Sequence, residues 1–175
     1  MALTPQYNHK FYFGYFLRWP EYNIIAESLD GRPIGYGTTA GHTDAAVMGK
    51  CEGQGKNWHG HVTVLTVAPA YRHIGVARKL MEYLECVSEQ GDMYFVDLFV
   101  RMSNKSAVGM YEGMGYSVYR RVLDYYCGPD EDAYGTITTP HMIERIDMRK
   151  ALRRDRLKDS VIPLPHPVHA SDLDY

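Results

Sequence analysis

The run from His59 to Val100 limits the fold more than any other part of this chain. "HGHVTVLTV", residues 59–67, is rich in β-branched side chains and reads as a strand. Residues 73–90 then put Ala77, Leu80, Met81, Leu84 and Val87 on one helical stripe, with Gly91 expected in the left-handed position just past the end. "MYFVDLFV", 93–100, is apolar almost throughout, as expected of a strand covered on both faces. Strand, helix and strand in direct succession predict a mixed α/β chain.

The alternation continues in both directions. A second helix is predicted over about 104–114, and "YSVYRRVLDYYC", 116–127, returns to strand. Upstream, "FYFGYFLRW", 11–19, places Phe11, Tyr15, Phe16 and Trp19 near one helical face, and Pro20 stops the pattern. "EYNIIAES" and "PIGY" read as strands joined by the turn "LDGR". A basic stretch lies near 149–158, and the proline-spaced end, "VIPLPHPVHASDLDY", cannot continue a helix or a central strand. With 175 residues and no internal repeat, the chain suits one domain, 1–152, followed by an extension, 153–175.

Charge and cysteine content narrow the setting. Lys and Arg total 19 against 21 Asp and Glu, so nothing electrostatic favours nucleic acid or an anionic membrane as partner. Cys51, Cys86 and Cys127 are too scattered, and odd in number, for a disulfide framework, which points to a reducing compartment. No run approaches the roughly 18 apolar residues of a membrane span, and no signal peptide is evident. A soluble intracellular protein is expected.

Three small patterns carry chemistry. After the strand ending at Val67, a helix is expected to begin around Arg72 to Ile74, leaving its first amides free to meet an anion. Gly75 and Ala77 keep that turn open and Arg72 adds charge, although Arg-x-x-Gly-x-Ala alone equally suits a plain helix start. Asn104, Ala107 and Tyr111 share one helical face, where Asn104 can cap and Tyr111 can pack. His61 and Thr63 alternate onto one face of the strand leading to Val67. His59-x-His61 lacks an evident third ligand, so no metal is expected.

Together these pieces resemble the acetyl-CoA-dependent N-acetyltransferase superfamily known as GNAT. The family's Gln/Arg-x-x-Gly-x-Gly/Ala motif matches Arg72, Gly75 and Ala77, and its Asn-x-x-Ala-x-x-x-Tyr pattern matches Asn104, Ala107 and Tyr111. The resemblance implies a mixed central sheet flanked by helices. It implies acetyl-CoA held by Val67, Arg72, His73, Gly75, Val76, Ala77, Asn104 and Tyr111. Val67 would offer its amide to the acetyl group beside a splayed strand, and Tyr111 would protonate the departing thiolate. "RWPEY", "WHGHVT", "FVDLFVR", "PDEDAY", "DMRKAL" and "IPLPHPV" are similar to the catalytic subunits of the N-terminal acetyltransferases called NatB. That closer likeness implies acetylation of nascent chains beginning Met-Asp, Met-Glu, Met-Asn or Met-Gln. It also implies an auxiliary subunit near the ribosome in the cytoplasm, and substrate contacts from Tyr7, His61, Thr63, Tyr125 and Tyr126.

The acceptor chemistry fits. An α-amino group with pKa about 7.7–8.0 is roughly a tenth to a fifth free near neutral pH, whereas a lysine at about 10.4 is less than a thousandth free, so only a modest base is needed. Against the family pattern, the usual first strand is expected to be missing, which would leave a sheet edge unpaired, and Pro5 replaces a common Glu. Residues 37–46 and 135–146 read as insertions. Two alternatives stand beside this reading: transfer to another amine, such as lysine or a small metabolite, or a non-catalytic form that only binds acetyl-CoA or a partner subunit.

Overall fold

Pro20 cannot extend a helix, and the chain turns there. In the computed structural model, which describes residues 9–27, 33–34, 45–123 and 144–173, α1 (His9–Arg18) ends just before it. Asn23 then donates from Nδ2 to the Trp19 carbonyl, fixing the angle at which the first strand enters the sheet. Tyr12, rather than the expected Phe16, joins Phe11, Tyr15 and Trp19 on the inner face of α1: Tyr12 is 7% exposed and Phe16 39%. Positions 11, 12, 15 and 19 make a stripe that follows the 3.6-residue period, and 16 falls off its edge.

The strands are β1 (Asn23–Glu27), β2 (Pro33–Ile34), β3 (Ala45–Glu52), β4 (His59–Val67), β5 (Phe95–Arg101), β6 (Ser117–Leu123), β7 (Arg145–Ala151) and β8 (Val168–His169). They form one mixed sheet in the order β2–β1–β3–β4–β5–β7–β6–β8. β4 and β5 are parallel because α2 (Val76–Gln90) carries the chain back between them; α3 (Lys105–Glu112) links β5 to β6. Alternate strand residues divide the packing. Val47, Val62, Val96, Leu98, Ile146 and Met148 form a core with Leu80, Met81 and Leu84 of α2, while Met48 and Val64 face Tyr12 of α1 on the other side. Each such side chain contributes on the order of 1.5–3 kcal/mol of burial free energy. Among the described residues no helix is long and apolar enough to cross a membrane.

Several expectations change in detail. α2 begins at Val76, not at Arg72 to Ile74, because a short turn at Pro69–Tyr71 and left-handed backbone at His73 (φ 62°) and Gly75 (φ 89°) occupy those residues. Gly91 is not left-handed (φ −76°); its amide still bonds Val87, and Asp92 (φ 54°) makes the reversal one residue later. Ala45 and Ala46, expected within an insertion, are buried in β3, and Arg145 and Ile146, expected within the other, pair with β5 and β6. Glu144 accepts from the Met102 amide, and the remainder of both segments, 37–44 and 135–143, lies outside the described residues. β2 pairs with Ala26 and Glu27, and β3 with Asn23 to Ile25, so successive stretches of β1 serve the segments on either side of residues 37–44.

Beyond residue 152 the chain stays against the sheet, the Leu164 amide donating to the Tyr119 carbonyl of β6. Asp155 accepts hydrogen bonds from the Asp159 and Ser160 amides and the Ser160 hydroxyl, and Leu173 is buried. β8 pairs with Val122 and Leu123 at the sheet edge, where proline-flanked chain is tolerated.

Candidate active site

The site originates in an irregularity of β4. Met48 pairs with Val64 but Gly49 with Val62, so Thr63 is an extra residue, a bulge that bends the strand. Just past it the sheet opens. β4 pairs with β5 only from His59–Val62 to Phe95–Leu98, although β4 runs on to Val67 and β5 to Arg101. The β4 edge from Thr63 to Val67 therefore faces β5 without a strand partner, and its polar backbone is available to a ligand.

The turn after β4 completes one side of this opening. Gly75 caps α2 in left-handed backbone, and no side chain caps the helix, so its first amides are uncommitted. A Cβ built on Gly75 meets nothing within 4 Å, so glycine is needed there for its φ and not for packing space. Arg72 is exposed and donates from Nε to the Val67 carbonyl at 2.9 Å, tying the turn to the strand end. His73 contributes left-handed backbone; Val76 and Ala77 begin the helix and pack partly into the core.

Asn104 caps α3, its Oδ1 accepting from the Ala107 amide at 3.2 Å. Tyr111, two turns on, is buried, and burial pushes its phenol up to about 12, so it holds its proton at neutral pH. Its ring meets Tyr116 edge-on at 5.9 Å. The Tyr116 hydroxyl donates to Glu85, which also receives Lys150, so the ring that supports Tyr111 is itself anchored.

On the opposite face of the sheet, His61 is buried and bonds through Nδ1 to Asp97 Oδ1 at 2.8 Å, its partner in the β4–β5 register. Thr63 donates its hydroxyl to the Tyr15 oxygen of α1 at 3.0 Å. Asp97 is fully buried, which alone would raise its pKa, but His61, His59 and Arg149 hold it down at about 2. The row continues through Arg149 and Asp147 to Arg120, and from His59 to Glu52 and Lys50. Asp97 and Tyr15 were not among the residues singled out from the sequence. Asp97 left a signal, a lone acid inside the apolar "YFVDLFV"; Tyr15 left none beyond its place on the helical stripe. Tyr7, Tyr125 and Tyr126 lie outside the described residues.

Two other features bear on the chemistry. Among the described residues no three His, Cys, Asp or Glu side chains gather where a metal could sit. A cavity of about 340 Å³ adjoins Tyr94, at the end of β5 away from the opening. Its lining carries Lys56, Arg149, Arg154 and Arg156 beside Asp155 and Asp159, and Arg149, Arg154 and Lys56 pair with Asp147, Asp92 and Asp159.

Comparison with known proteins places this geometry. The profile of the acetyltransferase (GNAT) family matches residues 2–116. The N-terminal acetyltransferase B complex catalytic subunit NAA20 of Arabidopsis thaliana is 48% identical over 174 residues, 99% of this chain and 87% of that protein. N-alpha-acetyltransferase 20 of Dictyostelium discoideum is 49% identical over 173 residues, 98% and 87% of the two chains. The crystal structure of Chaetomium thermophilum Naa20 in complex with a bisubstrate analogue superposes with TM-score 0.76 at 35% identity, covering 96% of this chain and 86% of that one. The NatB acetyltransferase complex bound to a bisubstrate inhibitor gives TM-score 0.75 at 31% identity, covering 99% and 89%. With an open β4–β5 edge beside a left-handed glycine turn, and likeness of this extent along nearly its whole length, the chain belongs to the GNAT acetyltransferase family.

Proposed function

We propose that this chain is the catalytic subunit of a NatB-type N-terminal acetyltransferase, moving acetyl from acetyl-CoA to the α-amino group of proteins that begin Met-Asp, Met-Glu, Met-Asn or Met-Gln. The observation that carries the reading is the opening of β4 from β5 between the Gly75 turn and the His61 face. One side of it suits a pyrophosphate and the other an acceptor peptide. The full-length likeness to NatB catalytic subunits supports the choice of acceptor.

In this reading Arg72, His73, Gly75, Val76 and Ala77 hold the pyrophosphate through backbone amides and one guanidinium, and Asn104 borders the cofactor from α3. Acetyl-CoA supplies the acetyl group as a thioester. The amide of Val67 stabilises oxygen charge as the α-amine attacks the carbonyl carbon. The C–S bond breaks as the C–N bond forms, Tyr111 gives its proton to the departing sulfur, the amine loses its proton to water, and Tyr111 regains one from water. His61 and Thr63 face the first two acceptor residues, joined by Tyr7, Tyr125 and Tyr126. The outward face of α1, with Phe13 65% and Leu17 85% exposed, suits an auxiliary subunit that brings the chain to the ribosome in the cytoplasm. The domain limits 1–152 and 153–175 belong to the same proposal.

A panel of peptides varied at positions one and two, assayed with the chain co-expressed with its auxiliary subunit, tests the reading. Met-Asp peptides are expected to be acetylated at least about tenfold faster than Ser-Ala peptides, a difference of about 1.4 kcal/mol. Equal rates would contradict the NatB assignment.

A further inference from the structure

Asp97 is the one acid within β5, and its neighbours Val96, Leu98 and Val100 are core residues. A carboxylate in such a strand is costly unless it is paired, and a buried ionic pair is commonly no more stable than apolar side chains of the same volume. Stability alone therefore gives a weak reason for it. Its geometry gives a stronger one. Asp97 Oδ1 accepts at 2.8 Å from Nδ1 of His61, and no other hydrogen bond of that ring exists among the described residues. Nε2 is not among the sealed unpartnered polar atoms. Phe99 packs against the ring at 5.5 Å and limits its tilt. Facing Asp97 across the other register is Arg149, which is bonded to Asp147 and stacked on Tyr119 and so stands as a fixed positive charge near the carboxylate.

Resting on the reading that His61 faces the second residue of the acceptor, we infer that Asp97 is a positioning residue that makes His61 selective among those second residues. A carboxylate on Nδ1–H fixes the tautomer and leaves Nε2 as the atom presented to the peptide. In the neutral ring, Nε2 only accepts, which suits the NH2 of Asn or Gln. In the imidazolium it donates, which suits the carboxylate of Asp or Glu, and Asp97 is the counter-ion that this form requires. The other charged groups near the ring are Glu52 and Lys50 from β3, His59 from β4, Arg149 and Asp147 from β7, and Arg120 from β6. Glu52 pairs with Lys50 through Oε2 and holds Oε1 at 4.0 Å from Nδ1 of His61, and Asp147 pairs with both arginines; Asp97, which also lies 3.6 Å from Nε2 of His59, is the carboxylate within hydrogen-bond distance of His61.

The test is Asp97→Asn in the co-expressed complex, with Met-Asp and Met-Asn peptides assayed side by side. KM for Met-Asp should rise about tenfold, the effect of losing one charge-assisted contact, while KM for Met-Asn rises less than about threefold and KM for acetyl-CoA is unchanged. Equal effects on the two peptides, or none, overturn the inference, because a merely structural carboxylate would scale both alike. If the variant does not fold, the 15N spectrum of histidine-labelled wild-type chain decides. A protonated Nδ1 on His61 supports the inference; a bare Nδ1 with the proton on Nε2 overturns it. Failure of the wild type on both peptides would instead contradict the acceptor proposed above, and the same spectrum would still decide the role of Asp97.

Discussion

The turn from Arg72 to Ala77 and the face around His61 flank the same opening, yet they are built by opposite means. The turn is exposed backbone, shaped by two left-handed residues and a helix start within one short stretch of chain. The face is largely buried side-chain chemistry, in which His61 from β4 meets Asp97 from β5 beside Arg149 of β7, and Thr63 meets Tyr15 of α1, only after the sheet has formed. The difference teaches where robustness lies. A backbone site tolerates most side-chain changes but not a change of φ, whereas a side-chain row fails when one charge is lost and its neighbours stay buried.

Tyr111 of α3, packed in the core on the α2 side of the sheet, gives the largest expected effect. Tyr111→Phe should lower kcat about 100-fold while acetyl-CoA binds as before, because only the phenolic proton is removed. An unchanged kcat would take the proton donor out of the account. The face should next reveal itself in acid. Asp97 in the folded chain sits at about 2, below its ordinary value of about 3.9, so protonation favours the unfolded chain. The stabilisation, about 2 kcal/mol, is present above pH 4 and lost as pH falls toward 2. Chemical denaturation across that range should show the loss in wild type and not in Asp97→Asn; parallel curves would mean that the pair contributes nothing.

The turn should respond differently. Gly75→Ala is expected to cost about 1–2 kcal/mol because its backbone is left-handed, and to weaken acetyl-CoA binding. Gly75→Asn, which accepts that backbone, should recover most of the stability without recovering affinity. Full recovery of affinity would mean that Gly75 serves only the turn. Smallest is Asn104→Ala, about 1 kcal/mol for a lost cap, with Asn104→Asp keeping the stability. A calorimetric titration with acetyl-CoA would separate capping from cofactor contact in that pair.

How much could be read in advance follows the same division. The turn was legible because its residues are consecutive and glycine at a helix start has few explanations, although the helix begins later than periodicity suggested. β4 matched its predicted span, 59–67, since a β-branched run bounded by a turn is a local property. The face was only half legible. His61 and Thr63 were visible as alternate positions on one strand, but their partners depend on which strands become neighbours and on the bulge at Thr63, which no single stretch encodes. Residues 45–46 and 145–146 are strand rather than loop for a related reason. Ala45 and Arg145 look like loop residues in isolation and become strand residues through pairing with β4 and β5.

The most direct measurement uses one peptide that begins Met-Asp and carries an internal lysine, incubated with acetyl-CoA and the co-expressed complex, then fragmented in a mass spectrometer to locate the acetyl group. The account predicts acetyl on the α-amino nitrogen and none on the lysine. Acetyl on the lysine, or on neither amine, would contradict it.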